Sequence, residues 1–299
     1  MKQYQFMFWN VNLSTQGDDY NKRLENIMKV IVETSKEYNL DFILLAEAQK
    51  FNTQEMLKLL NYDKEKYRVG IREDILLDTK QRFVILHTID KENVVWQKIE
   101  PKRRILSTYY NLYGTKILIN LVHLRDKYNY SDKTLDGHAR NHAKYIRRLE
   151  DEFKIKNSLM VGDFNLNPYQ DGMINVDAFN AIMCPNIASK GIRRWSGEEY
   201  KYFYNPTWSI FGKQGDGQVL GTYFYNNSSE VDVAYWYMLD QLLLRKDMLD
   251  LYKSSSLEII SKVKTIELTN DKGIPNTAEY SDHFPIKFTI EIKGDDTCG

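Results

Sequence analysis

The chain predicts an α/β (α+β) sandwich in which helices cover two sheets. Three observations predict it: short apolar runs without alternation, a block of consecutive strand-like segments, and helical periodicities on either side of them. Between residues 20 and 39, Leu24, Ile27, Met28 and Ile31 recur at three- and four-residue spacing on one helical face, with Asp18 or Asp19 as N-cap. The run Phe42 to Ala46 is short and wholly apolar, as a strand buried on both faces reads. Asn52 with Glu55 fits a capping box for another short helix. Strand-like segments then repeat at Arg82 to Ile89, Asn93 to Ile99, Ile105 to Leu112 and Lys116 to Leu121, with Gly114 at a turn. That spacing predicts mostly antiparallel pairing between neighbours. A helix is expected from about Gly137 to Phe153, its inner face carrying Ile146, Leu149 and Phe153, before a buried strand at Ser158 to Val161. Further on, the pattern predicts a helix near Val176 to Met183, long loops from Ile192 to Asn227, and strands at Tyr235 to Leu244 and Pro285 to Ile292. No repeat or Pro/Ser-rich linker divides residues 1–299, so one domain with a short polar tail at 293–299 is expected.

Composition removes several function classes. Lys+Arg (41) and Asp+Glu (41) cancel to a formal net charge of +0, so phosphate recognition must be local rather than a property of the whole surface. The two cysteines, Cys184 and Cys298, supply no zinc-thiolate pattern and favour a reducing, cytoplasmic setting. Gln3, Gln5, Asn10 and Asn12 interrupt any signal-peptide core, and no apolar run approaches the ~18 residues of a membrane span.

The chemistry concentrates where polar groups end buried strands: Asn10 after Phe8-Trp9, Glu47 after Ala46, His123 after Val122, and Asp163 and Asn165 after Val161-Gly162. A buried ionised carboxylate is stable only beside partners or a cation, so such placement is costly without a purpose. Asp240 sits within an apolar strand, and Asp282 with His283 precedes the last one. Hard oxygen donors, Glu47 with Asn10 and Asp282, suit Mg²⁺ or Mn²⁺. Asp163 is placed to activate water, Asn165 and a histidine to donate to phosphate oxygens, and Asp240 to orient His283.

In order along the chain, WNVN, LLAEAQ, LVHL, GDFN, LDQLLL and SDHFPI resemble the signature blocks of the endonuclease/exonuclease/phosphatase (DNase I-like) superfamily, across residues 8 to 290. The resemblance implies a four-layered α/β sandwich with two central sheets. It implies metal binding by Asn10, Glu47 and Asp282, water activation by Asp163, and oxyanion contact by Asn165. Phosphate contact or acid catalysis falls to His123 and His283, with Asp240 supporting His283. Asn12 stands where the abasic endonucleases have Asp, and His123 where they have Tyr, so an abasic-site repair role is disfavoured.

The expected reaction is therefore divalent-metal-dependent phosphodiester hydrolysis, and the expected partner is nucleic acid, DNA ahead of RNA. Residues 193 to 225 interleave cations with flat rings, and Arg193, Arg194, Trp195, Tyr204 and Trp208 are the candidate substrate contacts. The alternatives are a lipid or small-molecule phosphoesterase, resembling sphingomyelinases or inositol phosphatases, and tyrosyl-DNA phosphodiesterase-like end processing. A catalytically silent binding module has no need of the full acid, amide and histidine set. His87 reads as structural, and His138 with His142 as a solvated or substrate-facing helix. Trp9 and Trp236 read as core aromatics, and Lys102 to Arg104 as a solvated basic loop or edge strand.

Overall fold

Strand β1 (Lys2–Asn10) alternates as a strand between two hydrophobic layers must. Phe6 and Phe8 enter one core, while Met7 and Trp9 enter another on the opposite face. The computed structural model describes residues 1–14, 19–76, 78, 80–211, 219–227 and 233–293. After β1 the principal elements are α1 (Tyr20–Tyr38), β2 (Phe42–Ala46), α2 (Thr53–Leu60), β3 (Val84–His87), β4 (Val94–Ile99), β5 (Ile105–Leu112) and β6 (Thr115–His123). The rest are α3 (Asp132–Glu152), β7 (Ser158–Asp163), β8 (Asp240–Leu244) and β9 (Ile286–Ile292).

One sheet runs Glu258–Ile259, β9, β1, β2, β3, Arg68–Val69; the other runs β4, β5, β6, β7, β8, Phe203–Tyr204, Ala181–Ile182. Pairing is mostly antiparallel, with β1–β2 and β6–β7 as the long parallel pairs. Inner faces of both sheets share a core in which the Phe6 ring stacks on Phe42 at 4.4 Å and on Phe288 at 4.7 Å. Each such buried ring contributes ~1.5–3 kcal/mol by transfer from water. Helices α1 and α2 cover the first sheet through Ile27, Ile31 and Met56, and α3 covers the second through Leu135, Ala139 and Ile146. The result is the four-layered sandwich, helix on sheet on sheet on helix.

Several elements differ from the sequence reading. β3 and β4 were expected to pair as neighbours, yet β3 pairs with β2 and β4 opens the other sheet. The apolar pattern reports burial on a face and is blind to which edge a strand joins. Helix α3 begins well before Gly137, because the Ser131 side chain caps it by accepting from Thr134 N. Val176 to Met183 is not helical: a short helix at Asp171–Ile174 precedes a two-residue edge strand, with Asn180 at φ 52° between them. Tyr235 to Leu244 is broken, with Trp236–Tyr237 pairing with Tyr223–Phe224 apart from β8. The loops expected from Ile192 contain a hairpin, Ile192–Trp195 with Glu198–Lys201. Asp19 precedes α1 without a side-chain capping bond, and Asp18 and the tail from 294 lie outside the described residues. Among the described residues no helix is long and apolar enough to cross a membrane.

Candidate active site

Register brings the polar strand ends together. His123 on β6 and Asp240 on β8 both lie beside Asp163 on β7, so three functional side chains stand in one row across adjacent strands. In the facing sheet Asn10 ends β1 beside Ala46, and Glu47 follows β2 in a left-handed conformation (φ 51°). Gly162 makes the close packing of β7 on β6 possible. It has φ +152°, and a Cβ there would meet the Val122 carbonyl oxygen at 2.0 Å.

The focus of the site is one atom, Asp163 Oδ2. It accepts from Asn10 Nδ2 at 2.9 Å and from Asn165 Nδ2 at 3.1 Å. His123 Nε2 and His283 Nε2 stand 3.8 and 3.9 Å away. Oδ1 accepts from Asn165 N at 2.8 Å, a turn that Asn165 closes at φ 51°. Burial pushes the Asp163 carboxyl up to about 6, helped by the Asp240 charge and opposed by His283 and His123. Asn10 also donates to Glu47 Oε1 at 3.1 Å, so one amide ties the two sheets together at the site.

His283 Nδ1 bonds Asp240 Oδ2 at 2.8 Å. Burial alone would lower the His283 pKa; the charge and hydrogen bond of Asp240, with Asp163 and Asp282 behind, instead raise it well above the ordinary histidine value. Its loop is fixed from β1, where Trp9 Nε1 donates to His283 O at 2.8 Å and Ser281 Oγ to Asn10 O at 2.6 Å. Tyr223 packs on the imidazole with ring centres 4.8 Å apart. Trp9 is thus a core aromatic with a positioning task, while Trp236 is only partly buried, stacked on Phe284.

Glu47 accepts from Ser14 Oγ at 3.1 Å and faces His123 Nε2 at 3.3 Å. Burial would raise its carboxyl, but the His123 hydrogen bond, with Asn10 and His283, holds it well below the usual carboxylate range. A divalent cation fits this donor set. The carboxylate is ionised, its side chain is 23% exposed, and it is grouped with His123 and Asp163 within 4.8 Å. A second group, Asp163, Asp240 and His283, meets the same spacing. Asp282 stands outside both groups among the described residues; its Oδ1 accepts from Asn12 Nδ2 at 3.0 Å and Ser281 Oγ at 3.3 Å.

Of the aromatic-basic segment, Tyr223 reaches this centre by packing on His283, but the hairpin and Tyr204 do not. Tyr204 pairs with Leu244, the end of β8 opposite Asp240, and the Arg193 hairpin roots there through Lys201, whose carbonyl accepts from Arg245. Arg194 is engaged by Glu199 at 2.8 Å, and Trp195 is exposed on the same hairpin. The Trp208 ring lies 6.5 Å from that of Tyr169, which follows the Asp163 turn. Arg193, Arg194, Trp195 and Tyr204 were grouped by composition alone, and strand register separates them from Asp163. Lys213 lies outside the described residues.

Three arginines are here instead, two that sequence reasoning passed over, Arg82 and Arg125, and one that it read as solvated, Arg104. Arg82 Nη1 bonds His123 Nδ1 at 3.1 Å, and Arg104 Nη1 donates to Leu124 O at 3.2 Å, the same oxygen that Asn165 Nδ2 reaches at 3.2 Å. Arg125 follows them, stacked 4.8 Å over Tyr130. The solvated reading of Lys102 to Arg104 holds for exposed Lys102 and fails for half-buried Arg104; Arg103 pairs with Asp78. The only advance signal was adjacency, Arg125 lying two residues beyond His123. Nor are both helix histidines solvated, since His142 is fully buried against Glu100 at 2.7 Å while half-buried His138 packs on Tyr130. His87 is a buried structural residue, as read.

These features define the class: the fold is the DNase I-like fold of the endonuclease/exonuclease/phosphatase proteins. No family model matches the chain, and no curated protein matches it in sequence. Among particular solved structures it is similar to truncated Caenorhabditis elegans TDP2, with 15% identity and TM-score 0.55, over 97% of this chain and 98% of that one. It is also similar to an endonuclease/exonuclease/phosphatase family protein of Leptotrichia buccalis, with 16% identity and TM-score 0.53 over 97% and 100%. A third is D. rerio TDP2 complexed with a single-strand DNA product, with 15% identity and TM-score 0.52 over 98% and 100%.

Proposed function

We propose that the chain, acting as one domain, is a divalent-metal-dependent phosphodiesterase that hydrolyses the nucleic-acid backbone, DNA ahead of RNA. The observation that carries this reading is the convergence of two amides and two imidazoles on Asp163 Oδ2. A carboxyl held near neutrality accepts a proton from water efficiently at pH 7. Asp163 takes that proton while the water oxygen attacks phosphorus in line with the leaving oxygen. Asn165 Nδ2, His123 Nε2 and His283 Nε2 surround the same spot and donate to the non-bridging oxygens. Asp240 keeps the His283 ring oriented and its charge stabilised. Glu47 with Asn10, and Asp282 from the adjoining loop, would hold Mg²⁺ or Mn²⁺, which polarises phosphoryl oxygen and offsets charge on the leaving oxygen when bound.

Nucleic acid is favoured over a lipid by the cationic face beside His123 and by the D. rerio TDP2 structure, which contains a single-strand DNA product. That neighbour also supports a second reading, processing of DNA ends in the manner of tyrosyl-DNA phosphodiesterases. The test is incubation with plasmid, linear and single-stranded DNA, RNA and p-nitrophenyl phosphodiesters, each with Mg²⁺, Mn²⁺ or EDTA. Cleavage of a nucleic acid with either metal and none in EDTA is expected. Turnover of p-nitrophenyl substrates with no nucleic acid cleaved under any condition would overturn the reading.

A further inference from the structure

Strand order places Arg104, His123, Asp163 and Asp240 side by side, since His123 N donates to Arg104 O at 2.9 Å and Asp163 pairs with both His123 and Asp240. Arg104 is thus two strand spacings from Asp163, about 10 Å at ~4.8 Å per strand. Arg82 reaches the same side through His123, and Arg125 follows Leu124, whose carbonyl binds Arg104. Among the described residues no carboxylate forms an ion pair with Arg82, Arg104 or Arg125. Of the nearby acids, Glu47 is engaged by His123, Asn10 and Ser14, and Asp126, whose charge also acts on Arg104, accepts from Asn129 N and Nδ2. Glu100 meets Arg104 only at its backbone N (3.3 Å), its other oxygen being held by His142. Arg82 Nε and Arg125 Nε are buried without a hydrogen-bond partner. Three half-buried guanidiniums side by side are unfavourable unless an anion joins them. Burial, then the charges of Arg104 and Arg125, lower Arg82 to about 10.

We propose that Arg82, Arg104 and Arg125 form a second anion site that takes a phosphate flanking the scissile one, so that the enzyme selects a strand carrying successive phosphates over an isolated phosphodiester. The inference rests on the nucleic-acid reading above. Charges along one strand recur every ~3.4 Å of axis. A chain seated at Asp163 therefore lays a neighbouring phosphate across Arg104 within two or three residues. Guanidiniums suit the task because each presents several donors to phosphate in a fixed plane.

The test is equilibrium binding in EDTA, without turnover, of a single-stranded decanucleotide and separately of inorganic pyrophosphate, over a salt series. Arg104→Gln and Arg125→Gln should each weaken oligonucleotide binding about tenfold and lower the salt slope by about one. Arg125→Lys should retain the slope, and Lys144→Gln, an exposed position on α3, should behave as the unmodified protein. Unchanged affinity and slope in folded Arg104→Gln and Arg125→Gln overturn the proposal, as does a protein that binds neither probe. Pyrophosphate binding that is lost in the variants, with no oligonucleotide binding at all, upholds the anion site and sinks the nucleic-acid reading instead.

Discussion

Arg82 sets the tautomer of His123. Its Nη1 lies 3.1 Å from His123 Nδ1, and a guanidinium can only donate, so Nδ1 must accept and the ring proton sits on Nε2. That proton points at Glu47 Oε1, 3.3 Å away, with Asp163 Oδ2 at 3.8 Å. A cation thereby does for His123 the opposite of what Asp240 does for His283: Nδ1 accepts in the first ring and donates in the second. Nitrogen-15 spectra of labelled protein should show an Nε2–H tautomer for His123 that Arg82→Gln converts to a mixture. An Nδ1–H tautomer in the unmodified protein would remove this relationship.

Glu47 concentrates the carboxylate chemistry of its sheet. Replacing it with Gln retains size and the left-handed backbone while removing charge, so Glu47→Gln should lower turnover by at least about 10²-fold with little change in Tm. Turnover measured beside thermal unfolding checks both halves. Full activity of the unmodified protein in EDTA would end the metal assignment.

His283 and Asp240 should differ in weight. Loss of the imidazole in His283→Ala removes a donor at the reacting phosphate and should cost at least about 10²-fold in kcat. Asp240→Asn keeps a partner for Nδ1 and removes only its charge, so the cost should be smaller. Equal losses, or none for His283→Ala, would contradict the pairing seen at 2.8 Å.

His87 predicts an acid limb in stability that is independent of the catalytic centre. Burial lowers its pKa to about 4, and its Nδ1 accepts from Ile89 N while the ring packs edge-on against Phe42 and Tyr110. Between its ordinary value of 6.5 and about 4 the unfolded chain binds a proton that the folded chain refuses. Stability is therefore retained above 6.5 and falls as pH drops through this window, by roughly 3 kcal/mol at most. Urea unfolding from pH 7 to 4 should show this slope, and His87→Gln should flatten it. An unchanged slope in that variant would assign the acid limb elsewhere.

The sequence by itself determined the strand ends and their chemistry. An acid, amide or imidazole closing an apolar strand is legible because burial without partners is costly, and Asn10, Glu47, His123, Asp163, Asp240 and His283 do converge. It also showed α1, β2 and the Asn52 cap, which depend on local spacing alone. Tertiary structure decided what depends on strand neighbours. Only register separates β3 from β4, sends the Arg193 hairpin to the far end of β8, and gathers Arg82, Arg104 and Arg125 from three unrelated segments. Hydrophobic periodicity records which face of an element is buried and says nothing of which edge it joins. Contacts between residues distant in the chain are fixed by hydrogen-bond pairing across those edges, and there the cationic face beside His123 was made.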